Sequence, residues 1–433
     1  MRRDRATLVV MVVFAVVAAR LLWSIYQGSV NILFMDQWDL YDVLFENKNG
    51  WETFFRQGGN HRQGVIFVID MWLAQMTHWN TIVEAVFVGA LMVGAGYLAL
   101  RLKKALFGKY EYSDVIIPVV CLSLVPYESF IATPFPSLSV FPLLMVFGYC
   151  LAWAAKNGTA KYVVIGLVNF LLVFSGYGWI VGLVTPGLLV LSYGDEGNRK
   201  WRLIIGLMLV GSVASLVGLV TGLDMTIDPT TLTRENWGLV VPYMVLLFGN
   251  FFRPTKNLDV VIAGGVGYLV MGGILFLRSF GRTLLRGTTK DPTNVVLVIL
   301  LSMTGLYTIF NLAGRVGFNI FNALASRYGI FYIPGLVAIY FGLLRWGNIR
   351  IAKLGKGVMM GIVVGIYLLS FASEEPGVFS AKKRAWRDCY LSHENIEFCD
   401  TTTDFMIYPN TPNKAKLKAK LDYLKNNKLN LFY

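Results

Sequence analysis

The sequence predicts an all-α polytopic membrane protein, and three observations predict it. Of its 433 residues, 55% are hydrophobic and only 15% are charged. Apolar runs long enough to cross a bilayer, which takes about 20 residues, recur along the whole chain. These runs lack the two-residue alternation of a membrane β-barrel. Because backbone groups in lipid must be bonded within the chain, continuous apolar runs indicate helices.

About 11 transmembrane helices are predicted from these runs. They fall at residues 8–26, 81–101, 114–131, 136–155, 161–175, 179–194, 203–222, 258–277, 293–312, 328–344 and 357–373. The fifth and sixth runs are short, and the sequence GYGW that begins at Gly176 separates them. These two runs are therefore also compatible with a re-entrant hairpin.

Lys and Arg residues gather in every second loop between the predicted spans. Since basic residues of short loops stay on the cytoplasmic side, this pattern places the N-terminus inside and the C-terminus outside. The same loops carry about half of the basic residues behind the formal net charge of +13. The charge is thus explained by topology and by anionic lipid, and no nucleic-acid partner is expected.

Two parts of the chain are distinguished. Residues 1–374 form the transmembrane domain, which includes a first outside loop at 27–80, and residues 375–433 form a small extracytoplasmic C-terminal cap. Residues 38–46 of the loop suit a short interfacial helix with Asp39 and Asp42 about one turn apart. In the C-terminal segment, leucines at three- and four-residue spacing predict an amphipathic helix.

Two of the four cysteines, Cys389 and Cys399, bracket the polar segment CYLSHENIEFC in the predicted outside part. An oxidising compartment permits a disulfide there, and the closed loop would contribute about 3 kcal/mol in the chain-entropy model. A zinc site that uses His393 is the alternative, but it lacks an obvious fourth ligand. The spacing therefore predicts a disulfide, and no metal site is predicted.

The loop MDQWDLYDVLFENKNGWETFFRQGGNHRQG at residues 35–64 is rich in ionisable side chains between long apolar segments. A carboxylate at the lipid boundary, such as Asp36, suits a general base toward a hydroxyl group. Outside arginines such as Arg315 and Arg327 suit a lipid-linked phosphate, which they bind through charge-assisted hydrogen bonds. Together these groups indicate transfer from a lipid phosphate.

Four segments carry a resemblance to a known family: MDQWD (35–39), NHRQG (60–64) followed by VIFVIDMWLAQM, GRVGFNIFNALASRY (314–328) and LDYLKNNKLNLF (421–432). In these segments and in its layout the chain resembles the GT-C superfamily of membrane glycosyltransferases, in particular a prokaryotic branch. The resemblance implies a hexosyl- or pentosyltransferase that uses a polyprenyl-phosphate sugar and works on the outer face of the plasma membrane. It further implies inversion at the anomeric carbon and an acceptor that is a cell-envelope glycan or a glycolipid.

The resemblance assigns the role of catalytic base to Asp36. The chain has Asp36-Gln37 where several branches have an Asp-Glu pair, so Asp39 is the candidate for the second acid. No cofactor is expected to be required. A divalent metal ion is possible near the clustered acids but is not favoured, because a monophosphate leaving group and nearby arginines make it less necessary.

Each remaining candidate has a structural alternative. The predicted site residues comprise a donor-phosphate group, Arg327, Arg315 and Arg62, and a substrate-binding group, His61, Glu128, Trp179 and Tyr328. Asp36 and Glu128 also suit a helix N-cap. His61 and Arg62 also suit pairing within their own loop, Arg327 also suits the snorkelling end of a helix, and Trp179 also suits an interfacial belt.

The alternatives to a transferase are a glycan polymerase and a lipid-linked saccharide transporter. A transporter is expected to show two related halves and charges deep within its spans, and the sequence shows neither clearly. A polymerase also uses many helices and outside arginines. An essential Asp36 in the first loop favours the transferase, whereas essential arginines confined to later loops favour the polymerase.

Overall fold

The computed structural model of the protein describes residues 2–59, 61–155, 158–224, 234–285, 287–317, 319–408 and 414–433. Most of these residues are helical, and no strand occurs among them; one isolated β-bridge joins Gln57 and Arg62. Asn60 of the NHRQG segment lies outside the described residues. The all-α class is therefore confirmed.

Nineteen α-helices follow one another along the described chain. They are α1 (Arg2–Gly28), α2 (Gln37–Leu40), α3 (Asp42–Phe45), α4 (Gly50–Phe54), α5 (Gly64–Met76), α6 (Thr81–Phe107), α7 (Ile116–Cys121), α8 (Val140–Ala154), α9 (Thr159–Val173), α10 (Trp179–Asp195), α11 (Arg199–Val220), α12 (Val240–Gly249), α13 (Leu258–Leu285), α14 (Pro292–Arg315), α15 (Ile333–Leu344), α16 (Ile349–Ala372), α17 (Glu375–His393), α18 (Ile396–Thr403) and α19 (Lys414–Asn426). Short 3₁₀ segments also occur, among them Tyr127–Ser129, Gly176–Gly178 and Ser326–Tyr332.

Eight helical stretches of the described chain are long and apolar enough to cross a membrane. They are Arg5–Gly28, Thr81–Phe107, Gly176–Asp195, Arg199–Val220, Leu258–Leu285, Pro292–Arg315, Ser326–Leu344 and Ile349–His393. Their outward faces are apolar; on α11, for example, Leu203, Leu207 and Val210 are all exposed. A large apolar surface of this kind fits a lipid bilayer, so the chain is a multi-pass membrane protein.

The other three predicted spans differ from the prediction. Helices α8 and α9 have 15 residues each, about 22 Å of helix against a bilayer core of about 30 Å. The predicted span at 114–131 is broken, since α7 ends at Cys121 and a short 3₁₀ turn follows Pro126. Proline disfavours a continuous helix through this stretch because it lacks an N–H group and restricts the residue before it.

A second buried core lies beside the one in the helix bundle. From here on, the cap means residues 29–80 together with residues 375–433, so it adds the first loop to the predicted C-terminal cap. The side chains that share its core are mainly aromatic and aliphatic, and they include Trp38, Tyr41, Phe67, Trp79, Trp386, Tyr390, Leu417, Leu421 and Leu424. The three leucines predicted to form one face of α19 are thus buried against the first loop. The cap therefore folds as a joint product of two distant parts of the sequence.

A disulfide and a buried amide tie the cap together. Cys389 of α17 and Cys399 of α18 are bonded, with 1.97 Å between their sulfur atoms, so the predicted disulfide is confirmed. The fully buried Asn430 donates from its side chain to the carbonyl oxygen of Trp79 (2.6 Å) and to Asn31 Oδ1 (3.1 Å). These bonds fix the last described residues against the start of α6.

Candidate active site

Asp36 occupies the turn that precedes α2 and presents a free carboxylate. The preceding residue, Met35, has a left-handed backbone with φ of 48°, and its N–H donates to the carbonyl oxygen of Ile407 (2.8 Å). The Asp36 side chain is exposed, and it makes no capping bond to α2. Among the described residues the side chain has no hydrogen-bonding partner. Asp36 therefore does not act as an N-cap of α2 through its side chain.

Arg327 lies in the 3₁₀ segment before α15 and is held by Glu128. One Arg327 amino group lies 3.1 Å from Glu128 Oε2. Ser326 adds two bonds: its N–H donates to Glu128 Oε1 (3.3 Å), and its hydroxyl accepts from the N–H of Glu128 (3.0 Å). The predicted substrate-binding acid thus orients the predicted phosphate-binding arginine. Asp36 lies within electrostatic range of the same guanidinium group.

Arg315 lies in the last turn of α14 and approaches the same place. Arg315 and Arg327 both interact electrostatically with Tyr177 and with Tyr243. Arg315 is exposed and has no hydrogen-bonding or ion-pair partner in the part of the chain that the structure describes. The structure therefore brings together three residues that the sequence places far apart, and it leaves one of two cations free.

An aromatic cluster borders these cations. The ring of Tyr177 contacts His61 (5.2 Å between centroids), Tyr307 (5.1 Å) and Phe331 (5.1 Å). The Nε2 atom of His61 is buried without a partner within the described residues, and the buried hydroxyl group of Tyr328 interacts with Arg327. Buried polar atoms normally have hydrogen-bonding partners, so an unpaired one beside two cations suits a polar ligand.

The imidazole of His61 is held in its neutral form. It is only 7% exposed, and its burial lowers its pKa from 6.5 to about 4, because the charged form is poorly solvated there. A neutral ring can donate and accept one hydrogen bond each. His61 thus contributes polarity to the site without adding a third positive charge.

In the variant His61→Gln, the free energy of unfolding is expected to decrease less between pH 7.5 and pH 5 than in wild type. Below pH 6.5 His61 is protonated in the unfolded state, whereas in the folded state it is protonated only near pH 4. The free energy of unfolding therefore decreases as the pH falls below 6.5. At pH 5 the loss is about 2 kcal/mol. Thermal unfolding of wild type and variant at pH 7.5 and pH 5 measures it. An unchanged difference between the two pH values would contradict the buried neutral ring.

The guanidinium group of Arg62 binds backbone carbonyl groups. Its guanidinium group donates to the carbonyl oxygens of Phe55 (2.8 Å) and Thr221 (2.9 Å), and its own carbonyl accepts from the N–H of Gly176 (2.9 Å). These contacts join the first loop to the end of α11 and to the turn before α10. Both terminal amino groups of Arg62 are thus engaged with backbone, whereas its buried Nε atom has no hydrogen-bonding partner among the described residues.

Arg62→Ala is expected to destabilise the fold by about 2–4 kcal/mol, because it removes two charge-assisted bonds to backbone carbonyl groups. Thermal unfolding of the purified variant, with Arg62→Lys as the conservative comparison, measures the loss. An unchanged melting temperature together with weaker donor binding would instead assign Arg62 to the donor phosphate.

Asp39 is committed to the cap. The hydroxyl group of Tyr408 donates to Asp39 Oδ1 (2.5 Å), and Lys416 and Lys420 lie 3.8 and 3.9 Å from the same oxygen atom. Lys420 also pairs with Asp42 at 2.8 Å. Both acids of the predicted interfacial helix thus face the C-terminal segment. The Asp39 carboxylate is thus already occupied by donors of the cap, whereas the Asp36 carboxylate is free, which favours Asp36 as the base.

Trp179, another predicted substrate contact, packs its ring against Phe310 (4.6 Å between centroids). Its indole nitrogen is buried and has no hydrogen-bonding partner among the described residues.

Two fully buried acids, Glu84 and Asp70, were not identified from the sequence. The signal was present, since each is a single acid inside an otherwise apolar run.

A cavity of about 280 Å³ lies between the end of α10 and the start of α14, where Lys161, Asp195 and Lys290 contribute to its wall. Arg315 and Trp179 lie at the opposite ends of these two helices. The cavity is thus separate from the candidate site. Within the described chain, no cluster of three or more His, Cys, Asp or Glu side chains is placed to hold a metal ion.

Fold and site define an all-α, multi-pass membrane protein with a free carboxylate and a cationic pair at one end of the helix bundle. Comparison of the chain with protein-family models, with curated proteins and with solved structures finds no match in any of the three.

Proposed function

We propose that the protein is a membrane glycosyltransferase. It transfers a sugar from a polyprenyl-phosphate donor to a hydroxyl group of a cell-envelope glycan or a lipid-linked acceptor. One observation carries the proposal: the unpartnered carboxylate of Asp36 lies within electrostatic range of Arg327, a cation oriented by its own acid, Glu128. A base beside a phosphate-binding cation is what transfer from a lipid phosphate needs.

The reaction is a single displacement. The acceptor oxygen attacks the anomeric carbon as its proton passes to Asp36, and the bond from that carbon to the phosphate oxygen breaks. The leaving group is polyprenyl phosphate, and the anomeric configuration inverts because the attack comes from the opposite face. Arg327 and Arg315 stabilise the negative charge that develops on the phosphate, so no metal ion is required.

The disulfide supports an extracytoplasmic location for this chemistry. Cys389 and Cys399 are bonded within the cap, and the cap also contains Asp36. Disulfides persist in oxidising compartments and are rare in the cytosol. The disulfide and the distribution of basic loops thus support an extracytoplasmic cap and site. The prokaryotic plasma membrane is the location that the resemblance to GT-C enzymes implies.

The test is transfer by the purified protein in nanodiscs, supplied with a panel of polyprenyl-phosphate hexoses and pentoses and with cell-envelope extract as the acceptor source. We expect one donor to be consumed, with polyprenyl phosphate released and the sugar recovered on the acceptor. Consumption of no donor would overturn the proposal. Lengthening of a lipid-linked glycan would indicate the polymerase instead, and movement of a donor across the bilayer without cleavage would indicate the transporter.

A further inference from the structure

We propose that Glu84 is a positioning residue, which holds α2 in the orientation that presents Asp36 to the acceptor. The inference rests on the proposed function and adds to it a residue from a different helix. Glu84 lies in the first turn of α6 and is fully buried. A carboxylate buried at such a place needs partners, and α2 supplies them.

Both ends of α2 bind the Glu84 carboxylate. The hydroxyl group of Tyr41, which follows α2, donates to Glu84 Oε1, and the side-chain amide of Gln37, its first residue, donates to Glu84 Oε2 (3.4 Å). Tyr41 and Gln37 are four residues apart and thus lie on one face of the helix. Asp36 directly precedes Gln37 and is exposed, whereas Gln37 is buried.

Gln37 also fixes the chain on either side. Its amide nitrogen donates to the carbonyl oxygen of Pro134 (3.1 Å), and its Oε1 atom accepts from the N–H of Phe34 (3.1 Å). The turn that carries Asp36 is therefore bonded at both ends to buried groups. A rotation of α2 would break these bonds and move the Asp36 carboxylate.

The chemistry of the site explains a carboxylate at position 84. The Glu84 side chain has two oxygen atoms, which receive the Tyr41 and Gln37 donors separately, whereas an amide has only one oxygen atom. Lys383, which is also buried, lies within electrostatic range of Glu84. Its Nζ atom donates to the carbonyl oxygen of Ala132 (3.1 Å). Asp70, also nearby and buried, has its pKa raised by burial, which favours its neutral form.

The chain contains a matched cluster that lies away from α2. Asp114 is fully buried, accepts from the hydroxyl group of Tyr340 (2.5 Å) and pairs with Lys103 (2.5 Å). It offers the same three chemical groups, a tyrosine, a carboxylate and a lysine. Lys103 lies near the end of α6 and Glu84 near its start, so the matched cluster is remote from Asp36.

The experiment compares Tyr41→Phe and Glu84→Gln with Tyr340→Phe in the nanodisc transfer assay. We expect the first two variants to lower kcat about 10-fold or more while the KM for the donor stays within about twofold, because a misplacement of about 1 Å at a reacting group is costly. The double variant of Tyr41 and Glu84 is expected to lose no more than the worse single variant. Tyr340→Phe is expected to lose stability but to keep kcat.

Equal kcat in Tyr41→Phe and Tyr340→Phe would overturn the inference, because the Glu84 cluster would then be structural only. Tyr41→Phe decides the matter alone if Glu84→Gln does not fold, since it leaves the buried acid in place. The failure of the proposed function is recognised separately. If Asp36→Asn transfers sugar as fast as wild type, Asp36 is not the base and the proposed mechanism fails. If Asp36→Asn is inactive and Tyr41→Phe is fully active, only the positioning role of Glu84 fails.

Discussion

Replacing Asp36 by asparagine is expected to lower kcat for sugar transfer by about 10²–10⁴-fold, the usual contribution of a general base. The variant keeps the shape and polarity of the side chain and loses the site for the proton. Stability is expected to be unchanged, because the carboxylate is exposed and has no hydrogen-bonding partner among the described residues. Transfer in nanodiscs and thermal unfolding, measured on the same preparation, test both parts.

The matched control is Asp39→Asn, a change of the same kind three residues away. Asp39 binds Tyr408 and two lysines of the cap, so its loss is expected to reduce stability more than kcat. The two aspartates are therefore expected to show opposite patterns. Undiminished transfer by Asp36→Asn would remove Asp36 as the base, and inactivity of Asp39→Asn with normal stability would move the role to Asp39.

The membrane class of the fold was predictable because a helix that crosses a bilayer must be both apolar and about 20 residues long. The number of spans was harder to predict, because some helices are apolar but too short to cross. Residues 140–154 are buried among other helices to a large extent, so their apolar character reflects packing against protein. Residues 159–173 expose apolar side chains such as Leu167 and Phe170 on one face, which suits lipid although the helix is short. The break after Cys121 is followed by Pro126, a single residue whose effect a window of hydropathy averages away.

The cap was predicted only in part, for a physical reason. Its core joins Trp38 and Tyr41 to Leu421 and Leu424. These residues are far apart in the sequence, and a local sequence pattern does not predict contacts between distant segments. The amphipathic spacing of the leucines predicted a helix with a buried face. It did not identify the first loop as the surface that buries it.

The candidate site shows the same division. Asp36, Arg315 and Arg327 were identified by residue type and by predicted location, and the structure brings them to one end of the bundle. Arg62 has the same chemistry, but both of its terminal amino groups are engaged with the carbonyl groups of Phe55 and Thr221. Only the folded chain shows which donors are already bonded. Free polar groups, rather than polar groups in general, are the ones available to a substrate.

The two arginines are not equivalent, because Arg327 is oriented by Glu128 whereas Arg315 has no ion-pair partner within the described chain. Orientation before binding reduces the entropy lost when the phosphate is bound. Arg327 is therefore expected to contribute more than Arg315 to transfer. Glu128→Gln, which keeps an acceptor but removes the charge, is expected to produce a smaller loss than removal of Arg327 itself.

Arg327→Ala is expected to lower kcat/KM for the donor by about 10²–10³-fold, the loss typical of removing one group that stabilises developing charge. Arg327→Lys keeps the charge but not the planar pair of donors, so an intermediate loss is expected. It also retains a cation for Glu128, which controls for the unpaired acid that alanine leaves. Donor titrations of wild type, both variants and Arg315→Ala measure these losses. If Arg327→Ala transfers as well as wild type while Arg315→Ala does not, the phosphate is bound by Arg315, and the Arg327–Glu128 pair only joins the start of α15 to the segment after α7.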